Sequence, residues 1–260
     1  MLLVKAPILN ALYRTEGCEL APDKIIGQLK DIFTNEEGKP LNFKIDEVKP
    51  NKLDIEESYS WLSKKASEVF SLQEFPVFLG GDHSITFPIV NEFRKKFSNP
   101  GLIIFDAHAD AMQEFKPATH EDLLRALISS GFPAKNMIVV GVRNIHPDEK
   151  EFMLKHKINR FTAREIFDNI NAACDALTES ARKFDAIYVS VDIDVLDPAF
   201  APATGYLEPA GLSSRELIYM LQRLKLSKNL RAADIVEINP TKDINDMTSK
   251  LGAKIIAELI

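Results

Sequence analysis

Short apolar runs rich in β-branched residues recur along this chain, separated by segments whose apolar residues return every three or four positions. Val77-Phe78-Leu79, Gly101 to Phe105, Met137 to Val140 and Ala186 to Val191 read as strands buried on both faces. Leu230 to Ile238 reads as another, with Asp234 and Glu237 set among apolar neighbours. Helical periodicity runs over Ile55 to Leu72, Glu121 to Ser129, Ser213 to Leu224 and Asp246 to Ile260. Ser213-Ser214-Arg215-Glu216 has the form of a capping box, in which serine and glutamate satisfy the free N–H groups of a helix start. Alternation of this kind predicts an α/β fold of three αβα layers around a mostly parallel central sheet.

The chain is long and apolar enough for a full core, at 260 residues and 45% hydrophobic content. Without internal repeats or linkers, residues 1–260 read as a single domain. Met1 to Leu9 lacks the basic region and cleavage site of a signal peptide and reads as an edge strand. Asp197 to Leu212 is the least regular stretch, with Pro198, Pro202, Gly205, Pro209 and Gly211. A rigid loop of that length is expected to wall a pocket rather than merely connect elements.

A net charge of −6 argues against nucleic acid or an anionic membrane as partner, and no segment has the length of a membrane-spanning helix. Cys18 and Cys174 stand alone, without a disulfide framework or metal-type spacing, which fits a cytoplasmic location.

Three strand ends carry the chemistry: Gly80-Gly81-Asp82-His83-Ser84, Asp106-Ala107-His108-Ala109-Asp110 and Ser190 to Pro198. Singly, each has an ordinary reading. Asp82 or Ser84 could cap a helix, His108 could lie in an exposed loop, and Asp197 could cap the turn at Pro198. Asp192 and Asp194, however, follow a buried run and point to the same side of a strand. Two adjacent carboxylates raise each other's pKa unless a cation holds them. Strand ends in an open sheet converge on one crevice, so His83, Asp106, His108, Asp110, Asp192 and Asp194 form one donor set for two divalent metals. Carboxylates and imidazoles without thiolate favour Mn²⁺, with Co²⁺, Fe²⁺ and Zn²⁺ as alternatives. Four aspartates balance two divalent ions, and a bridging hydroxide leaves about one negative charge, a setting for a cationic substrate.

These segments, with His120, Gly141-Val142-Arg143, Ala203-Thr204-Gly205 and Val236-Glu237-Ile238-Asn239-Pro240, resemble the ureohydrolases: arginase, agmatinase and their relatives. The resemblance spans most of the chain and implies an arginase-like fold. It implies two Mn²⁺ ions per chain on the six donors, bridged by Asp106 and Asp192, and hydrolysis of a guanidino C–N bond to release urea. It makes Glu237 the carboxylate that holds the guanidinium, Asp110 a proton acceptor, and His120 a proton shuttle or substrate-orienting group. Members of the family are commonly trimers or hexamers, so a homo-oligomer, trimer or hexamer, is expected.

The sequence departs from the family where substrates are read. Met112 stands where arginases have an asparagine, and His146 where they have an aspartate, both of which read the amino acid head of arginine. Glu121 replaces the glycine common after the loop histidine of agmatinases, and Tyr206 a small hydroxyl residue. A substrate without an α-amino acid head is therefore expected, agmatine-like or guanidinoalkanoate-like, with Met112, Tyr206 and Phe115 around its alkyl part, or with Phe115 packed in the core instead. The rival readings are a hydrolase of another amidine or amide such as formiminoglutamate, with Arg143 or Lys116 reading a carboxylate, and a non-catalytic relic.

Overall fold

The computed structural model describes residues 1–10 and 14–260. In chain order its strands are β1 (Leu2–Ala6), β2 (Lys44–Glu47), β3 (Pro76–Gly80), β4 (Pro100–Phe105), β5 (Met137–Val142), β6 (Asn159–Thr162), β7 (Ala186–Asp192) and β8 (Leu230–Val236). The helices are α1 (Ala21–Leu29), α2 (Ile55–Val69), α3 (Thr86–Lys96), α4 (Leu123–Ser129), α5 (Pro147–His156), α6 (Ala163–Asp168), α7 (Ile170–Ala181), α8 (Ser214–Lys225) and α9 (Met247–Leu259).

All eight strands join one parallel sheet in the order β2-β1-β3-β8-β7-β4-β5-β6. Successive side chains of a strand point to opposite faces, and both faces are apolar here. Leu79, Phe105, Val140, Val189 and Ile235 pack with α1 and α6 to α9 on one side. Phe78, Ile104, Val139, Tyr188 and Val236 pack with α2 to α5 on the other. The three-layer αβα arrangement follows.

Helix starts obey local chemistry. Asp54 caps α2 by accepting from Glu57 N, and Ser213 with Glu216 forms the expected capping box of α8. The amino-terminal strand departs from expectation. It is not an edge, because β2, a short and largely exposed Lys-Ile-Asp-Glu segment, pairs outside it. In α9, Ile255 and Leu259, in line with Met247 at spacings of four, are buried, but Met247 is exposed. The helix buries a broader face through Gly252, Ala253 and Ile256.

In a parallel sheet all carboxyl-terminal strand ends lie at one edge. The four central strands β3, β8, β7 and β4 deliver Asp82–His83, Glu237, Asp192–Asp194 and Asp106–Asp110 to that edge, side by side.

Gly81 lets this edge close. A methyl group on it would collide with the Ile8 carbonyl oxygen, and its own carbonyl accepts from Glu237 N at 2.9 Å. Gly81→Ala is expected to cost about 1–3 kcal/mol through overpacking, read as a lower urea midpoint at unchanged slope. A wild-type midpoint would show that this turn relaxes without cost.

Candidate metal centre and active-site pocket

Four of the six candidate donors sit on a backbone that fixes them before any ion is considered. Asp106 Oδ1 accepts from His108 N at 2.6 Å, and Asp192 Oδ1 accepts from Asp194 N at 2.9 Å. Asp194 Oδ1 accepts from Ala107 N at 3.1 Å, tying the end of β7 to the loop after β4. Asp110 sits at φ 47° and Glu237 at φ 64°, in the left-handed region that side chains other than glycine avoid. Such conformations persist where surrounding structure enforces them, and they gather at functional sites.

The remaining donor atoms converge. His83 Nδ1 lies 2.8 Å from Asp110 Oδ2, 3.2 Å from Asp106 Oδ2 and 3.4 Å from Asp192 Oδ2. His108 Nδ1 lies 2.9 Å from Asp194 Oδ2 and 3.5 Å from Asp106 Oδ1. Two triads result, His83–Asp106–Asp110 and Asp106–His108–Asp194, each with donor atoms within 4.8 Å of one another. Asp106 belongs to both and turns a different oxygen toward each histidine. Asp192 lies in neither triad but borders the first.

The electrostatics fit a bound cation. Burial, then the charges of Asp194 and Asp106, push the Asp192 carboxyl far above its ordinary range. Burial and Asp106 push Asp110 up to about 7, and burial with Asp106 raises Asp194. Burial opposes charge on His83, yet its aspartate neighbours raise it well above the usual imidazole range. Buried His83 Nδ1 and Asp106 Oδ2 have no hydrogen-bond partner among the described residues. Orphaned polar atoms in a core call for a ligand, and nitrogen and oxygen donors at this spacing suit divalent metals.

A cavity of about 450 Å³ opens above the triads, its wall including Glu237, His120, Glu121, Met112 and Tyr206. Glu237 Oε1 accepts from His83 N at 2.8 Å, while the buried Oε2 has no partner among the described residues. His120 is 5% exposed, with Nδ1 3.4 Å from Glu237 Oε1 and Nε2 3.8 Å from Glu121 Oε1. Burial disfavours its charged form, but Glu237, Asp82 and Asp110 outweigh that and raise it to about 9. The Tyr206 ring stands 5.7 Å from the His108 ring and 6.1 Å from the His120 ring, and its hydroxyl donates to Glu121 Oε1 at 3.4 Å. The Asp197–Leu212 loop thus contributes to the wall as expected. Asp197 shapes it by accepting from Ala199, Ala210 and Gly211 N–H groups.

Some expected pocket roles do not hold. Phe115 is 46% exposed and outside the cavity wall, so it neither lines the pocket nor packs in the core. Arg143 does not face the cavity either. Its guanidinium donates to the carbonyls of Gly141, Asp194, Val195, Leu196, Glu208 and Pro209, so it staples the loop. Lys116 is exposed and lies apart from the wall. Neither cation is placed to read a substrate carboxylate. His146 lines the cavity, and as the cap of α5 its Nδ1 accepts from Asp148 N at 3.2 Å.

Glu208 has no signature in the sequence, yet its Oε1 accepts from Asn144 Nδ2 at 2.8 Å and lies 3.3 Å from His108 Nε2. A single acid in an irregular loop gives no periodic signal.

The arginase-family model matches residues 1–260. The chain belongs to the arginase family. It is accordingly a hydrolase of C–N bonds in linear amidines. The mitochondrial Arginase 1 of Oryza sativa is 29% identical over 262 residues, covering 94% of this chain and 76% of that protein. Formimidoylglutamase from Bacillus subtilis superposes with a TM-score of 0.92 at 25% identity, covering 99% of this chain and 84% of that one. The proclavaminate amidino hydrolase of Streptomyces clavuligerus gives 0.91 at 26% identity, covering 99% and 89%.

The His120–Glu237 pair carries a pH signature. A raised histidine stabilises the fold below its unfolded pKa of about 6.5, and that contribution fades as pH rises through about 9. Glu237→Gln is expected to return the His120 titration in metal-free protein to the ordinary imidazole range or below, measured by NMR. An unmoved titration would remove Glu237 as the cause.

Proposed function

We propose that this arginase-family chain is a binuclear manganese hydrolase that cleaves a guanidino C–N bond and releases urea. The substrate we infer is a guanidine without an α-amino acid head, agmatine-like or guanidinoalkanoate-like, with residues 1–260 acting as one catalytic domain. The observation that carries this reading is the Oε2 of buried Glu237, unpartnered among the described residues, in a side chain that lines the same cavity as members of both triads. A planar cation with paired N–H groups is the natural partner for such a carboxylate.

His83, Asp110, Asp192 and Asp106 would hold one ion, and His108, Asp194, Asp106 and Asp192 the other. Bound there, two divalent metals lower the pKa of a water so that it is nucleophilic near neutral pH. The protein's own groups do the rest. Glu237 fixes the guanidinium so that its central carbon faces the triads. Asp110 takes the proton released as water adds to that carbon. His120, whose Nδ1 lies 3.4 Å from Glu237 Oε1, would return a proton to the nitrogen whose bond to carbon breaks. Tyr206 and Met112 narrow the cavity around the alkyl portion. Among the described residues no lysine or arginine lines this cavity, which favours a cationic substrate over an anionic one.

The manganese-loaded protein should therefore produce urea from agmatine or a guanidinoalkanoate faster than from L-arginine in a guanidine panel. L-Arginine turning over well above the rest would overturn the substrate class. The structural likeness to formimidoylglutamase keeps a formimino substrate as the second reading, and formamide release in the same panel would select it.

Metal and substrate roles separate by mutation. Asp192→Ala is expected to lose metal and activity together. His120→Ala should keep both ions while kcat falls about 10²–10⁴-fold, the usual range for a lost general acid. Elemental analysis beside kinetics checks both; two ions retained by the aspartate variant would refute its assignment. Cys18 and Cys174 are buried free thiols, in keeping with a reducing compartment, and no helix among the described residues is long and apolar enough to cross a membrane.

A further inference from the structure

Asp234 is a fully buried carboxylate in the middle of β8, away from the cavity wall, and the proposed chemistry does not use it. A charge in such a place needs compensating partners. Among the described residues it has three, all hydroxyls. Ser190 Oγ donates to Oδ1 at 2.6 Å, while Tyr188 Oη and Thr86 Oγ1 donate to Oδ2 at 2.8 Å each. Ser190 is the direct cross-strand partner of Asp234 in the β7–β8 ladder, so the sheet register sets this contact.

The same Ser190 Oγ lies 3.0 Å from His83 Nε2. A serine hydroxyl has one proton. Because Asp234 takes it, Ser190 offers His83 only lone pairs, and His83 Nε2 must donate. In neutral His83 that leaves the Nδ1 lone pair free, and Nδ1 is the atom aimed at Asp106, Asp110 and Asp192. We propose that Asp234 is a positioning residue that acts through the Ser190 hydroxyl to lock His83 in the Nε2–H tautomer, presenting Nδ1 to the first metal. The relay is the indirect counterpart of the direct Glu208–His108 contact. It rests on the reading of His83 as a metal donor.

Calorimetric titration of the metal-free full-length chain with Mn²⁺ tests it. Wild type is expected to bind two ions. Ser190→Ala and Asp234→Asn should weaken one of the two ions by about ten- to a hundredfold, the range for lost outer partners of a metal-binding histidine, and leave the other within about twofold. Tyr188→Phe removes a hydroxyl from the other oxygen of Asp234 without touching Ser190. It should lower the melting temperature yet bind both ions as wild type does. Wild-type affinities in Ser190→Ala, or equal weakening in Tyr188→Phe, would overturn the relay and leave a purely structural network. Absence of Mn²⁺ binding by wild type would overturn the metal reading, and the relay with it.

Discussion

Like charge crowded at one edge of a parallel sheet is the constraint around which this structure is arranged. The ends of β3, β8, β7 and β4 bring Asp106, Asp110, Asp192, Asp194 and Glu237 into one neighbourhood, all but Asp110 buried. Backbone N–H groups satisfy one oxygen of Asp106, Asp192, Asp194 and Glu237 and turn the other inward. The inward atoms then face one another and two imidazoles, in a setting where burial strengthens every repulsion. Protonation relieves part of this, as the raised Asp110, Asp192 and Asp194 show. Divalent cations relieve it more completely, because each neutralises two carboxylates at once.

Holding such a cluster open requires a frame that cannot relax. The two apolar layers fill both faces of the sheet, so the strands cannot slide apart without exposing the core. Asp110 and Glu237 are kept at positive φ by their neighbours, the first by the Leu124 N–H on its carbonyl and the second by its own N–H bond to Gly81. Arg143 contributes from one side. Its donors to successive carbonyls after β7 and in the returning loop fix the backbone that carries Asp194 and Glu208. A residue that the sequence offers as a substrate reader is instead a fastener, and only the direction of its side chain distinguishes the two roles.

What is legible in the sequence follows from which forces leave a periodic mark. Strands buried on both faces are apolar throughout, so β3, β4, β5, β7 and β8 announce themselves. The edge strands β2 and β6 are short, polar and half-exposed, and their Lys-Ile-Asp-Glu and Asn-Arg-Phe-Thr segments look like loop. With β2 unmarked, β1 takes on the look of an edge. The six candidate donors stand out because acids and histidines at buried strand ends are costly unless a cation or a partner holds them. Tyr206 and Met112 stand out as departures from the family pattern and do line the cavity. Phe115 does not, since an aromatic in an irregular loop carries no signal of which way it points. Asp234 is visible as a charge among apolar neighbours, but its hydroxyl partners lie on β7 and α3 and become neighbours only in the folded sheet.

The candidate metal donors and the cavity-lining residues that depart from the family pattern sit on different structural layers. His83, Asp106, Asp192 and Asp194 lie in or within three residues of a buried strand, where a changed side chain disturbs sheet, neighbours and charge balance together. Met112, Glu121, His146 and Tyr206 lie in connections after β4, β5 and β7, where side chains line the cavity and the backbone is held by other groups. Replacing them changes the shape and charge of the cavity while leaving the sheet intact. The resemblance to arginases and agmatinases thins at these four positions, and the donor set stays whole. Separate physical constraints account for that pattern: a substitution in the charged, buried sheet edge disturbs core and charge balance together, whereas one at a cavity-lining loop position changes chiefly the shape and charge of the cavity.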